Sequence, residues 1–302
     1  MSAPAHDTTR TVALSDLPPP ISPYLGLFAA TIAVSFSAIL IKDSHAPALV
    51  IAAYRMVITS VILIPFVRGA HLAQIRALDG RARVLLGVSG LLLALHFAFW
   101  TASLAYTSVA SSVLFVSIHP ALVAAFGAPL FGERPSRRAV VGIILTLVGS
   151  LVIAAGDLHI GGQALRGDVL AALGAIVFAG YLLIGRSTRQ HMDNIAYSFP
   201  VYCICALILG ALAPAFAQSL AAVSGRDLLN FLALAVVCTL GGHLLFNWTL
   251  RYVKAAAASV SFLGEPVGAS ILAWLLLGQI PPGTSVGGGV IVLAGIWLTI
   301  RS

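Results

Sequence analysis

Residues 241–278 read GGHLLFNWTLRYVKAAAASVSFLGEPVGASILAWLLLG. Two apolar runs, each long enough to cross a bilayer, flank a tight basic turn from Arg251 to Lys254. Three side chains fit hydrocarbon poorly. His243 and Asn247 lie one helical turn apart in the first run, and Glu265, directly before Pro266, falls near the middle of the second. A carboxylate at that depth is costly unless it is paired or faces water, so it marks function by default.

The stretch has an echo upstream. Moving back 146 positions lays Tyr252 on Tyr106, Ala256 on Ala110, Pro266 on Pro120 and Gly278 on Gly132. The same shift lays Pro281 on Pro135, Val286 on Val140, Gly288 on Gly142 and Gly295 on Gly149. No gap is needed across about 45 residues, and a duplicated unit explains the match.

Composition sets the class. Hydrophobic residues make up 59% of the chain and charged residues 9%, where soluble domains carry about 25% charged. An all-α integral membrane protein is expected. The net charge of +7 then speaks to topology and to contact with membrane lipids, with no nucleic acid as partner. Cys203, Cys205 and Cys238 sit in apolar runs and read as helix-packing residues, without a disulfide framework or zinc spacing.

Ten apolar runs are long enough to span: 24–42, 47–67, 83–105, 109–131, 138–156, 167–187, 195–216, 228–250, 255–277 and 285–300. Residues 1–23 are polar, end in PPPISP, and read as a disordered cytoplasmic tail rather than a signal peptide. The first repeat then covers 24–156 (spans 1 to 5) and the second 167–300 (spans 6 to 10).

Loop charges orient the chain. One side collects thirteen cations: Arg10, Arg68, Arg76, Arg81, Arg83, Arg134, Arg137, Arg138, Arg186, Arg189, Arg251, Lys254 and Arg301. The other has three, Lys42, Arg166 and Arg226, while Arg55 falls inside span 2. The positive-inside rule places both termini in the cytoplasm of a bacterial inner membrane. Because each repeat has five spans, an odd number, the second copy enters the membrane upside down. Inverted repeats of this kind build a small-molecule site at their interface near the midplane and alternate its access.

The run YTSVASSVLFVSIHPALVAAFGAPLFGERPSRRAVVGIILTLVGSLVI, from Tyr106, and its partner YVKAAAASVSFLGEPVGASILAWLLLGQIPPGTSVGGGVIVLAGIWL, from Tyr252, resemble the drug/metabolite transporter superfamily, and within it the EamA family. The resemblance covers about residues 24–300. The turn after span 4 keeps the acidic Glu133, whereas Gln279 stands at the equivalent place after span 9. The resemblance implies ten transmembrane helices as two inverted five-helix EamA repeats, around a cavity walled by spans 1, 3, 4, 6, 8 and 9. It also implies export of small metabolites, amino acids above all.

Candidate cavity residues follow from polarity and spacing within those spans. Span 3 offers His96, Trp100 and Ser103 at helical spacing, with Phe99 on the flank; span 4 offers Ser112, Phe115 and His119. His243 and Asn247 form an i, i+4 pair in span 8, and span 9 contributes Ser261, Phe262 and Glu265. Ser37 in span 1 and Tyr181 in span 6 complete the set, and Phe36 and Phe178 add to its aromatic character. His119 and Glu265 are repeat equivalents, each before a proline that removes a backbone donor and frees a carbonyl one turn earlier. At membrane depth freed carbonyls are tolerated beside protein or a water-filled cavity.

Each residue also has a structural reading. A membrane histidine can be a neutral hydrogen-bonding strut between helices, a tryptophan can pack, and Arg55 can pair or snorkel. The glycines of spans 5 and 10 (Gly142, Gly149, Gly287 to Gly289, Gly295) read as close helix contacts. The triple glycine is no phosphate loop, for it lacks the Lys-Ser/Thr that follows one. A membrane enzyme is disfavoured because no HExxH pair, carboxylate cluster or nucleophile elbow is present. A metal carrier using His96, His119, His243 and Glu265 would have only one carboxylate; no cofactor and no metal site are expected. Two mechanisms stay open for Glu265, proton carriage in antiport and direct engagement of a substrate amine. The sequence does not set the oligomeric state.

Overall fold

The computed structural model describes residues 19–132, 134–155, 162–221, 223–278, 280 and 283–301. Most of the expected N-terminal tail, together with Glu133 and Gln279, lies outside the described residues. Lipid offers the backbone no hydrogen bonds, so apolar runs of this length fold as helices that satisfy their own. Ten described helices are long and apolar enough to cross a membrane. They are span 1 Pro23–Asp43, span 2 Ala48–Phe66, span 3 Gly80–Ser103, span 4 Ser111–Phe131, span 5 Arg137–Ala154, span 6 Gly162–Arg189, span 7 Asn194–Ala215, span 8 Gly225–Thr249, span 9 Ala255–Leu272 and span 10 Gly283–Ile300. Span 6 starts five residues earlier than expected, because its helix runs on through the polar turn Gly162–Arg166.

Polar residues start the helices where the apolar runs begin. Asp79, Ser108, Ser136 and Asp193 each accept a backbone N–H of the first turn of spans 3, 4, 5 and 7. Ser224 and Asp227 close a reciprocal capping box at the start of span 8. The outer faces carry exposed Leu25, Phe28, Val61, Leu130, Leu207 and Val290, side chains suited to lipid tails. Cys205 and Cys238 are buried free thiols.

The helix pairing has the symmetry of a duplication. Span 3 packs on span 6 as span 1 does on span 8; span 3 on span 7 as span 2 on span 8; span 4 on span 6 as span 1 on span 9. Spans 2 and 7, 4 and 9, and 5 and 10 meet their own counterparts. The seam between spans 5 and 10 repeats the relation atom by atom. A β-carbon on Gly142 would stand 2.6 Å from the Gly295 carbonyl oxygen, and one on Gly288 2.6 Å from that of Gly149. Conversely, Gly295 would meet the Gly142 oxygen at 2.6 Å and Gly149 the Gly288 oxygen at 2.7 Å. Only glycine permits this approach.

Polar ties close both ends. At the end where span 1 begins, Arg186 donates to the Leu250 carbonyl (2.7 Å), Arg189 Nε to that of Asn247 (3.0 Å) and Asn194 to that of Leu244 (3.0 Å). At the opposite end Asp43 accepts from Arg226 Nε (3.0 Å) and Asn230 (2.9 Å), and Asp227 accepts the His45 N–H (2.8 Å). There too the buried Asp168 accepts from Thr107 (2.9 Å) and Ser111 (2.7 Å), clasping span 6 to the turn between spans 3 and 4.

Candidate functional site

Span 1 is interrupted at Phe36, and spans 4 and 9 break at the level of the bundle centre at positions that are repeat equivalents. Span 4 interrupts between Val116 and His119 ahead of Pro120. In span 9 a tight turn, Phe262–Gly264, precedes Glu265 and Pro266. Each proline frees a carbonyl four residues back. In span 4 that carbonyl, of Val116, accepts the His119 Nδ1 proton at 2.8 Å. In span 9 it belongs to Phe262 and accepts the backbone N–H of Glu265.

A cavity of about 30 Å³ opens between these breaks. Its walls are Val34 and Ser37 (span 1), His96 and Trp100 (span 3), Val116, Ser117 and His119 (span 4), Phe178 (span 6), His243 (span 8), and Phe262 and Glu265 (span 9). All six spans implied by the family resemblance contribute. Rings dominate the walls. His96 stacks on Phe178 with centroids 4.3 Å apart and lies parallel to Trp100 at 6.2 Å. His119 meets Phe178 edge-on at 5.1 Å, and Phe262 stacks on Phe246 at 3.5 Å.

Polar atoms in this wall are left open. His96 Nδ1–H donates to the Gly174 carbonyl at 3.1 Å, and His119 is held at Nδ1 as described. Yet Trp100 Nε1, His119 Nε2, His243 Nδ1 and Glu265 Oε1 are buried without a hydrogen-bond partner. Native proteins bury few such atoms; four of them belong to residues that border this one cavity. Among the described residues no three His, Cys, Asp or Glu side chains converge to hold a metal ion.

Of the residues expected from sequence, Ser37, His96, Trp100, His119, His243, Phe262 and Glu265 meet at the cavity. The others do not reach its walls. Ser103 donates to the Trp100 carbonyl and bonds Ser112 at 2.6 Å, pinning span 3 to span 4. Tyr181 donates to Asn247 Oδ1 at 2.7 Å, and Asn247 Nδ2 donates to Ser198 (3.1 Å) and Tyr202 (3.3 Å). Phe99 and Phe115 are half-buried elsewhere, and Ser261 bonds back to Ala257. His243 and Asn247 part company because Leu234–Leu244 winds as a π-helix that ends between them, where one turn no longer equals the α spacing. Val34, Val116 and Ser117 line the cavity without having been singled out by sequence; the first two look like any other apolar residue of a span. Arg55 does not snorkel. It is 2% exposed, its Nε donates to Thr239 at 2.7 Å, and its cation lies 4.3 Å above the Phe97 ring.

A profile of the EamA-like transporter family matches residues 21–155 and again 165–301. A probable amino-acid metabolite efflux pump of Salmonella typhimurium is 29% identical over 58% of this chain and 62% of its own length. A probable terminal-alkyne amino-acid exporter of Streptantibioticus cattleyicolor is 26% identical over 62% of this chain and 63% of its own. The matches thus span less than two thirds of either relative. One crystal structure superposes with a TM-score of 0.73 at 21% identity, covering 92% of this chain and 98% of the other, which speaks to fold alone.

Proposed function

Because the chain belongs to the EamA-like transporter family, a multi-pass membrane transporter and not an enzyme, we propose that it exports small metabolites by alternating access, foremost amino acids with neutral or aromatic side chains. The observation that carries this reading is the ring of four open polar atoms among stacked aromatic rings at the junction of the two repeats. Aromatic faces suit an apolar side chain, and Glu265 suits the amine that accompanies it. The names of the two bacterial relatives, an efflux pump and an exporter, agree with outward movement of amino-acid metabolites.

The cavity has room for water rather than for an amino acid. Loading therefore requires the halves to part, with the glycine seam of spans 5 and 10 as the pivot. Thirteen loop cations on the termini's side against three opposite support a reading with both termini in the cytoplasm of a bacterial inner membrane. Lipids and the small-molecule cargo are the partners.

Purified protein in liposomes should move radiolabelled phenylalanine or leucine above protein-free vesicles. Movement of none of the neutral amino acids sinks the cargo reading, and a vitamin, nucleoside or drug moving instead would replace it. Proton carriage is separable: a dependence on an imposed pH gradient that vanishes in Glu265→Gln assigns it to Glu265, and indifference to the gradient leaves Glu265 to the cargo alone.

A further inference from the structure

We infer that Arg55 and Glu265 are the two poles of one zwitterion site, Glu265 taking the cargo's ammonium and Arg55 its carboxylate. This rests on the amino-acid reading above and adds to it a second binding residue, in a span that does not line the closed cavity.

Arg55 sits in span 2 and is buried. One edge of its guanidinium is fixed, since Nε donates to Thr239 Oγ1, which in turn donates to the Leu234 carbonyl at 3.0 Å. Nη2 has no hydrogen-bond partner. No carboxylate lies within ion-pair distance of it among the described residues. Glu265 is in the mirror situation, buried with Oε1 open. An unpaired charge in a membrane interior is strongly disfavoured, and leaving one member of a buried pair alone is worse than removing both. A buried guanidinium and a buried carboxyl group, each with an open polar atom and neither touching the other, are placed to meet a molecule that carries both an ammonium and a carboxylate.

The path between them is short and made of rings. The guanidinium rests on Phe97; Phe97 meets His243 edge-on at 5.2 Å; His243 shares the cavity wall with Glu265. When the cavity widens to admit cargo, a shift of Phe97 and His243 opens Nη2 to it. A guanidinium offers a carboxylate parallel donors that a hydroxyl or an imidazole cannot. A cargo lacking either charge leaves one pole unanswered.

The test uses three ligands with one aromatic group: L-phenylalanine, 2-phenylethylamine (no carboxylate) and 3-phenylpropionate (no ammonium). Binding to the purified full chain is read by ligand-dependent thermal shift. The native protein should favour phenylalanine over both others by about tenfold or more. Arg55→Gln should lose about tenfold for phenylalanine and hold 2-phenylethylamine within about threefold, while Glu265→Gln spares 3-phenylpropionate in the same way. Arg55→Lys, which keeps the charge, should retain a preference for phenylalanine. Equal native affinity for phenylalanine and 2-phenylethylamine overturns the inference. So does an Arg55→Gln protein that weakens both alike, the mark of a structural role. If Arg55→Gln does not fold, the native ligand series and Arg55→Lys still decide. Phenylalanine binding whose selectivity the variants leave intact defeats only the assignment of poles; no binding of any of the three defeats the amino-acid reading along with it.

Discussion

Spans 5 and 10 touch through four glycines, while spans 4 and 9 face one another across a cavity with a histidine on one side and a glutamate on the other. Both pairs lie where each repeat meets its own copy. In the glycine seam the copies are interchangeable: Gly142 against Gly295 is the same contact as Gly288 against Gly149. Spans 4 and 9 share only the proline break. His119 spends its Nδ1 proton on the carbonyl that Pro120 frees, whereas the tight turn before Pro266 satisfies the equivalent carbonyl with backbone. The Glu265 side chain is thereby relieved of local duty. Where backbones press together the two copies are alike, and where they border a void they differ.

The largest test of that contrast falls on the seam. Gly149→Val and Gly295→Val should each destabilise by about 3 kcal/mol, since neither facing carbonyl has anywhere to go. Gly210, with no atom within 4 Å of where a β-carbon would stand, should tolerate valine. Denaturant unfolding in detergent checks all three, and unequal losses at Gly149 and Gly295 would break the equivalence. Next come the cavity positions. Glu265→Gln should cut transport by about tenfold or more and His119→Gln by about threefold at most, as a charged hydrogen bond outweighs a neutral one. Proteoliposome uptake measures both, and equal losses would mean that the copies act alike after all. Asn247→Ala strands the Tyr181, Ser198 and Tyr202 hydroxyls and should cost about 2 kcal/mol of stability. The transport KM should stay unchanged, because Asn247 braces helices rather than touching cargo; a raised KM would return it to the site. Smallest is Asp168→Asn, which keeps the acceptor but loses its charge. A single cysteine at position 112 should then react about twofold faster with a reagent added from the far side, as a charged bond gives way to a neutral one. No change would mean that the clasp does not gate.

Spans, repeat and seam were legible in the sequence because each leaves a periodic or compositional trace: apolar runs of fixed length, a constant offset of 146, glycines in register. The cavity was half legible. A polar side chain in an apolar helix announces that it needs a partner, which is how His96, His243 and Glu265 were found. It does not say whether the partner is cargo or a neighbouring helix. Asn247 and Tyr181 satisfy one another, and Ser103 satisfies Ser112. The separation of His243 from Asn247 was hidden because a π-helical register leaves no spacing signal of its own. Arg55 was visible as a charge but not as a buried one, since depth along a span says nothing about which way a long side chain turns.

The clasp of Asp168 on Thr107 and Ser111 has no twin. Carried forward by the repeat offset, its two hydroxyl donors become Val253 and Ala257, which have no proton to give. Both ends are tied, but by unlike chemistry: a carboxylate gathering two hydroxyls at one, guanidinium and amide donors on backbone carbonyls at the other. Duplication thus preserved the backbone frame while each end of the bundle acquired a fastening of its own.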